Sequence, residues 1–503
     1  MGKNNNRRKP ATQAQIEQIK VVVRGAMDKI YGDLLLDYAF GNVMSQPSSN
    51  DILSEQDHAY VKKIFGLHAN ISDSLLCLSV LLLCNFRAEE PIEKKFLLRR
   101  IVVVCHELYK YLYGFTNKKT EWEVIALKLE NKYPEECAEL MAQGERYLKK
   151  YGQSEDKILR DVSNHYSDKP FEFFKYISTI NEKGQTDRAL MMIRIVQPLS
   201  LLLMKEVGDV LPKSNGDTPV DLKSLTGSRQ FKDVFTDELL RETLRHITHR
   251  KEIIREQVQR VNWCEKFAAK YDHDMTKDKR WSLLKDDNIV LHIMYLQLDT
   301  MILSLAMGRA ESSVEEKLIL AYMVASMHEG FKKIYGFAES ARVKSLWYRY
   351  AISRMDSVKD SSLSSEIRIM TGVLDVFSEK DYLKNPTVTL FLGHVGYVRD
   401  LGGDSSNAMV DYLLQDDHKS ELAGVVGVMR FLNELVNVSG KLLSYENDEM
   451  SEDNRLDLEK HLEDIDEMER KALAKVHSEK SRQKLKAQTT GLREMIRKVY
   501  NWE

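Results

Sequence analysis

Displaced by 222 positions, the chain lies over itself without a gap, residues 71–115 falling on 293–337. Arg87-Ala88-Glu89 meets Arg309-Ala310-Glu311. Glu93, Lys95, Leu98 and Val102 meet Glu315, Lys317, Leu320 and Val324. His106-Glu107 meets His328-Glu329, Lys110 meets Lys332, and Tyr113-Gly114-Phe115 meets Tyr335-Gly336-Phe337. Gapless agreement that includes a polar His-Glu pair and a terminating glycine is hard to reach by chance, and it indicates an internal duplication.

Each copy reads as a mostly apolar helix, an Arg-Ala-Glu connection and a second helix stopped by glycine. Gly114 and Gly336 suit a left-handed helix stop, which only glycine adopts cheaply. The second helix carries Ile101-Val102-Val103-Val104, apolar on every side, so neighbours must enclose it. A helix pair of this kind cannot bury itself. Residues 122–148, 156–165 and 188–207 supply further helices to the first half, and 345–377 and 423–443 supply them to the second. The predicted fold is all-α: two tandem, internally duplicated helical bundles followed by a charged C-terminal helical tail.

Domain limits follow composition. A polar, basic N-terminus (1–10) reads as disordered, and the first bundle runs from 11 to 209. Leu211-Pro212-Lys213-Ser214-Asn215-Gly216-Asp217-Thr218-Pro219 marks a linker over 210–231. The second bundle covers 232–444 and opens with a long charged helix from about Asp237 to Tyr271. Residues 445–503 form a proline-free, strongly charged tail suited to a coil that binds a protein partner.

Nine prolines in 503 residues favour helix over sheet, and a formal net charge of −2 excludes a uniformly basic nucleic-acid coat while allowing a local basic groove. The cysteines Cys77, Cys84, Cys105, Cys137 and Cys264 show no CxxC spacing and read as buried thiols of a reducing cytoplasm. No secretory signal opens the chain, and the run Leu75 to Cys84 is about half the length of a membrane span. A cytoplasmic protein with no membrane contact is expected. No His-Glu-x-x-His or cysteine-rich cluster calls for a metal, and nothing calls for a cofactor.

One motif carries chemistry. Leu159-Arg160-Asp161-Val162-Ser163-Asn164-His165-Tyr166-Ser167-Asp168 lies late in the first bundle, ahead of the turn Ser167-Asp168-Lys169-Pro170. Cleaving RNA without a metal needs a group of near-neutral pKa to move the 2′-OH proton or to protonate the leaving oxygen, which histidine supplies. It also needs a fixed cation on the scissile phosphate, which arginine supplies as a bidentate fork. Arg160 and His165 stand about 140° apart on one helix, so they form no compact pair alone. Arg99 and Arg100 with His106, Arg241 with His246, Arg455 with His461 and Arg470 with His477 match the bare spacing without that context.

The Arg160 motif resembles the Arg-X4–6-His motif of the HEPN superfamily, small helical bundles many of which are RNases of toxin–antitoxin and antiphage systems. The resemblance implies a metal-independent endoribonuclease in a toxin or phage-defence setting, with Arg160 and His165 catalytic and RNA as substrate. It further implies that two bundles pack together and pool their motifs in one cleft. The polar residue that commonly follows the family's arginine is Asp161 here, a supporting residue. The matching region of the second half has His394 but Thr389 where an arginine would stand. Either the site is asymmetric between the halves, or a homodimer pairs two first halves, or the protein is a non-catalytic helical scaffold for a protein partner.

Two further features have bland readings. The duplicated His106-Glu107 and His328-Glu329 read as polar groups that fix a neighbouring helix, the alternative being that Glu107 orients Arg160 or His165. Arg245-His246-Ile247-Thr248-His249-Arg250-Lys251 is a basic patch interleaved with Glu242, Glu252 and Glu256, and it reads as a solvated helix face that could touch RNA.

Overall fold

In the computed structural model the described residues are 13–44, 54–114, 120–152, 170–210, 231, 234–271, 289–337, 339–379, 410–415, 417–449 and 451–499. Among them every regular element is a helix and no strand occurs, so the fold is all-α. The first half contains α1 (Gln13–Met44), α2 (Glu55–Arg87), α3 (Pro91–Tyr113), α4 (Glu121–Leu129), α5 (Pro134–Tyr151), α6 (Pro170–Thr179) and α7 (Glu182–Val210). The second contains α8 (Asp237–Tyr271), α9 (Ile289–Gly308), α10 (Ser313–Ile334), α11 (Glu339–Arg342), α12 (Leu346–Tyr350), a 3-10 turn (Ile352–Ser357), α13 (Ser361–Glu379) and α14 (Lys419–Glu449). A charged hairpin of α15 (Ser451–Lys475) and α16 (Glu479–Val499) follows. Its two helices pack on each other, and α15 also touches α14.

The packing order is the same in both halves. In the first, α1 packs on α2, α2 on α3, and α7 on both α2 and α3. In the second, α8 packs on α9, α9 on α10, and α14 on both α9 and α10. The stretch 122–148, read above as one helical segment, divides into α4 and α5. Pro134 stands at the first position of α5, where its missing N–H costs nothing.

Enclosure explains the apolar runs. Ile101, Val102, Val103 and Val104 are all buried, and one contiguous hydrophobic core runs through both halves, from Val23 to Leu442. Three helical stretches are long and apolar enough to cross a membrane: Glu55–Arg87, Ile289–Gly308 and Lys419–Leu442. These exceed what the run from Leu75 to Cys84 suggested. The most apolar windows of the first two are 100% and 94% buried inside the fold, where neighbouring helices supply the apolar surroundings. The third is 50% buried.

Both terminating glycines have positive φ, Gly114 at 67° and Gly336 at 77°. Gly114 departs from the left-handed helical stop in its ψ of 171°, the extended mirror region that is also open essentially to glycine alone. The Gly336 N–H donates to the Lys332 carbonyl at 3.0 Å, and a Cβ there would stand 2.8 Å from the Ala341 backbone. Gly336→Ala is therefore expected to cost about 2–4 kcal/mol, from the left-handed φ plus a clash with backbone that cannot yield. Gly25→Ala, inside α1 with open space at the Cβ position, should stabilise by about 0.5–1 kcal/mol. Urea denaturation of the two variants beside wild type checks the contrast, and equal effects would contradict it.

Candidate functional site

Arg160, Asp161 and His165 lie outside the described residues, as do Thr389 and His394. The elements on either side of the Arg160 segment are described. Before it, α5 packs on α7 of its own half. After it, α6 sits between the halves, against α3 on one side and α8 and α9 on the other. Its Phe173 ring stacks on Tyr295 of α9 with centroids 3.7 Å apart, and edge-on against Phe96 of α3 at 5.7 Å. The first described helix after the motif, α6, thus packs at the junction of the two halves.

That junction is built from the repeated residues themselves. Arg87, at the end of α2, places its guanidinium on the buried Glu315 carboxylate of α10. Arg309, at the end of α9, donates to the buried Glu93 carboxylate of α3 at 2.5 Å. The outer contacts are reciprocal too: Arg87 reaches Glu311 at 3.2 Å, and Arg309 reaches Glu89 at 3.6 Å. Each buried carboxylate also accepts a backbone N–H near the start of its own helix. Glu93 takes that of Glu90 at 3.2 Å, and Glu315 takes that of Glu311 at 3.1 Å. The two copies of the Arg-Ala-Glu connection therefore hold one another. The sequence displayed these residues as a repeat, but only the fold shows that each copy's partner is the other copy.

Deeper in the junction the two sides differ. Arg99 and Arg100 of α3 converge on the buried Asp299 carboxylate of α9, at 2.7 and 2.6 Å. Arg99 also bonds the Tyr295 hydroxyl and lies among the rings of Phe96, Phe173 and Tyr295, each centroid within 5.5 Å of its Cζ. Arg100 reaches the Ser326 hydroxyl at 2.6 Å. Burial pushes the Asp299 carboxyl up, but Arg100 and Arg99 outweigh it and hold it below its ordinary value. At the positions 222 residues away from Arg100 and Asp299 stand Tyr322 and Cys77. Burial pushes the Cys77 thiol well up, with Asp73 adding to it and a hydrogen bond with Tyr322 opposing. Arg99 and Arg100 are thus committed to joining the halves, which removes their chance spacing to His106 as a phosphate grip.

Glu107 and His106 are both buried, and Glu107 lies 3.8 Å from Lys110 one turn along. Glu329 repeats this with Lys332 at 3.7 Å, and the His328 ring packs edge-on to Phe337 at 4.9 Å. Cys77, Cys84, Cys105 and Cys137 are buried free thiols.

One constellation was not legible beforehand, because its members are far apart in the chain. His68 Nδ1 meets Asp37 Oδ2 at 2.6 Å, and its Nε2 meets Ser200 Oγ at 2.8 Å. The order Asp-His-Ser matches that of a serine hydrolase. Ser200, however, sits inside α7, whose backbone N–H groups serve the helix itself, so the helix that carries it offers no pair of free N–H donors to stabilise an oxyanion. The second half ties the corresponding three helices with different groups: Arg250 of α8 donates to Gln297 of α9 at 3.1 Å, and Gln297 donates to Asn433 of α14. Both chains act as polar cross-ties between helices. Among the described residues no three His, Cys, Asp or Glu side chains group to hold a metal ion. The chain matches no family model, no curated protein and no solved structure.

Two outcomes follow from the junction. Glu315→Ala strands the Arg87 guanidinium in a buried site and should cost about 3–5 kcal/mol, whereas Glu311→Ala, at a half-exposed carboxylate, should cost under about 1 kcal/mol. Guanidinium denaturation of both variants would refute this if the losses were alike. Because the Asp299 carboxyl is depressed in the fold, its contribution is present above the unfolded carboxyl range near pH 4 and is lost as pH falls through the folded value. Asp299→Asn should therefore be less stable at neutral pH and lose less further stability on acidification, as thermal melts from pH 7 to pH 3 would record.

Proposed function

We propose that the chain is a metal-independent endoribonuclease of the HEPN kind, acting in a toxin or antiphage setting. Arg160 holds the scissile phosphate. His165 takes the proton of the attacking 2′-OH or returns one to the departing 5′-oxygen. The 2′-oxygen bonds to phosphorus as the bond to the 5′-oxygen breaks, leaving a 2′,3′-cyclic phosphate and a 5′-OH end. Asp161 and Glu107 stand as supporting residues.

The reciprocal seating of Arg87 on Glu315 and of Arg309 on Glu93 carries this reading. The resemblance requires two bundles packed face to face, and the single chain supplies two halves with matching packing order, joined through matching residues. This same correspondence supports descent of the halves from one duplicated bundle. The motif segment is followed by α6, which packs at that junction. With Thr389 in place of an arginine, the second half serves as the partner bundle, and the catalytic unit is one chain. The other reading, a non-catalytic helical scaffold for a protein partner, draws on the C-terminal hairpin, whose two helices pack mainly on each other.

Purified protein incubated with labelled RNA decides between them. A positioned acid–base group contributes about 10²–10⁴-fold in rate, so His165→Ala should nearly abolish cleavage at an unchanged melting temperature. His394→Ala should alter the rate by a few-fold at most, through packing alone. No cleavage by the wild type would leave the scaffold, and cleavage indifferent to His165 would place the catalytic groups elsewhere in the chain.

A further inference from the structure

The C-terminal hairpin divides its charge unevenly. Helix α15 carries nine Asp and Glu against five Lys and Arg, while α16 carries seven Lys and Arg against two Glu. Simple pairing between the helices would neutralise α16, and at one end it does: Arg493 is clasped by Asp466 and Glu469 of α15. The other end differs. Lys480, Arg482, Lys484 and Lys486 are all exposed, and none is in an ion pair with any described residue. Arg482 makes one neutral contact, its Nε donating to the Val476 carbonyl at 2.9 Å.

This arrangement works against the helix as it stands. Lys480 and Lys484, and Arg482 and Lys486, are like charges one turn apart, which repel on a helix surface. Glu479 is the one acid of α16 within a turn of them, three residues before Arg482 and in no ion pair with it, and the other acids stand one helix away. By the helical repeat, Lys480 and Lys484 fall within about 40° of each other, as do Arg482 and Lys486, and the two rows lie about 160° apart, on nearly opposite faces. A folded acidic partner would meet one face of the helix and leave the other row unsatisfied. A flexible polyanion can pass along both.

We propose that the first half of α16, through Lys480, Arg482, Lys484 and Lys486, binds the phosphate backbone of single-stranded RNA. The choice of RNA among polyanions rests on the ribonuclease reading above. The contact is sequence-independent, since lysine and arginine meeting phosphates position a strand without reading its bases.

The test measures binding of a fluorescein-labelled single-stranded RNA of about 20 nucleotides by anisotropy across a range of salt concentrations. Full-length wild type is compared with the quadruple variant Lys480→Gln, Arg482→Gln, Lys484→Gln and Lys486→Gln, and with Arg241→Gln plus Arg245→Gln on the exposed face of α8. Gln keeps helix propensity close to that of Lys and Arg, so circular dichroism should not change. Each released phosphate contact lowers the magnitude of the log–log salt slope by about 0.7 on a single strand, so the quadruple variant should lose about 2 to 3 units. The α8 variant should lose none.

An unchanged slope in the quadruple variant overturns the proposal, as does an equal loss per charge in the α8 variant, which would assign the effect to net charge. Tighter binding to polyglutamate or to phosphatidylserine vesicles than to RNA at the same salt overturns it in favour of a protein or membrane partner. Cleavage by the wild type separates the two readings: binding that needs α16 in a wild-type protein that never cuts RNA keeps this inference and removes the enzyme. Cleavage indifferent to the quadruple variant, with the salt slope unchanged, does the reverse.

Discussion

Four buried or half-buried charges fix how the two halves meet, and the architecture depends on that meeting. Glu93 and Glu315 are enclosed, and each holds an arginine from the opposite half together with a backbone N–H of its own helix. An isolated buried carboxylate is untenable, so each helix start requires the other half's arginine in place. Such pairs contribute little net stability over an apolar replacement. What they supply here is register: sliding α3 against α9 by one turn, about 5.4 Å, would leave charged groups buried without partners.

Stability comes from elsewhere. Helix α9 buries nearly its whole length, and α2 and α10 bury most of theirs, all within one core shared by both halves. Apolar burial is non-directional, and it would accept several alignments of two such smooth helices. The arginine–glutamate pairs, the Asp299 cluster and the polar cross-ties through His68 and Gln297 select one alignment among them. The asymmetry of the deeper layer, Arg100 and Asp299 on one side and Tyr322 and Cys77 on the other, gives the two sides of the junction different chemistry. One half bearing the Arg160 motif and the other lacking its arginine is the same tendency in the sequence.

Legibility was uneven for identifiable reasons. Helix positions were readable where apolar residues recur with helical period, and α8 begins and ends where its charge pattern indicated, at Asp237 and Tyr271. The glycine stops were readable because positive φ excludes other residues, though the ψ at Gly114 was not. The division between α4 and α5 went unread, although Pro134 marked it. Of the candidate site, Glu107 was placed as a buried member of a repeated His-Glu pair, while Arg160, Asp161 and His165 fall outside the described residues. The roles of Arg99, Arg100 and Asp299 could not be read, since a buried charge looks in sequence like an exposed one.

By itself the sequence determined the helical class, because periodicity and local backbone sterics act over a few residues at a time, and it displayed the matching residues 222 positions apart. It also carried the Arg160–His165 motif and the unbalanced charge of the tail. Only the tertiary structure decided that Arg87 belongs to Glu315 and Arg309 to Glu93, that Asp37, His68 and Ser200 meet, and that the apolar helices are walled in by their own chain. Those are pairings across 31 to 228 residues of chain. No local propensity encodes them; they are fixed when burial brings the helices together and leaves each polar group one place where its charge or hydrogen bond is met.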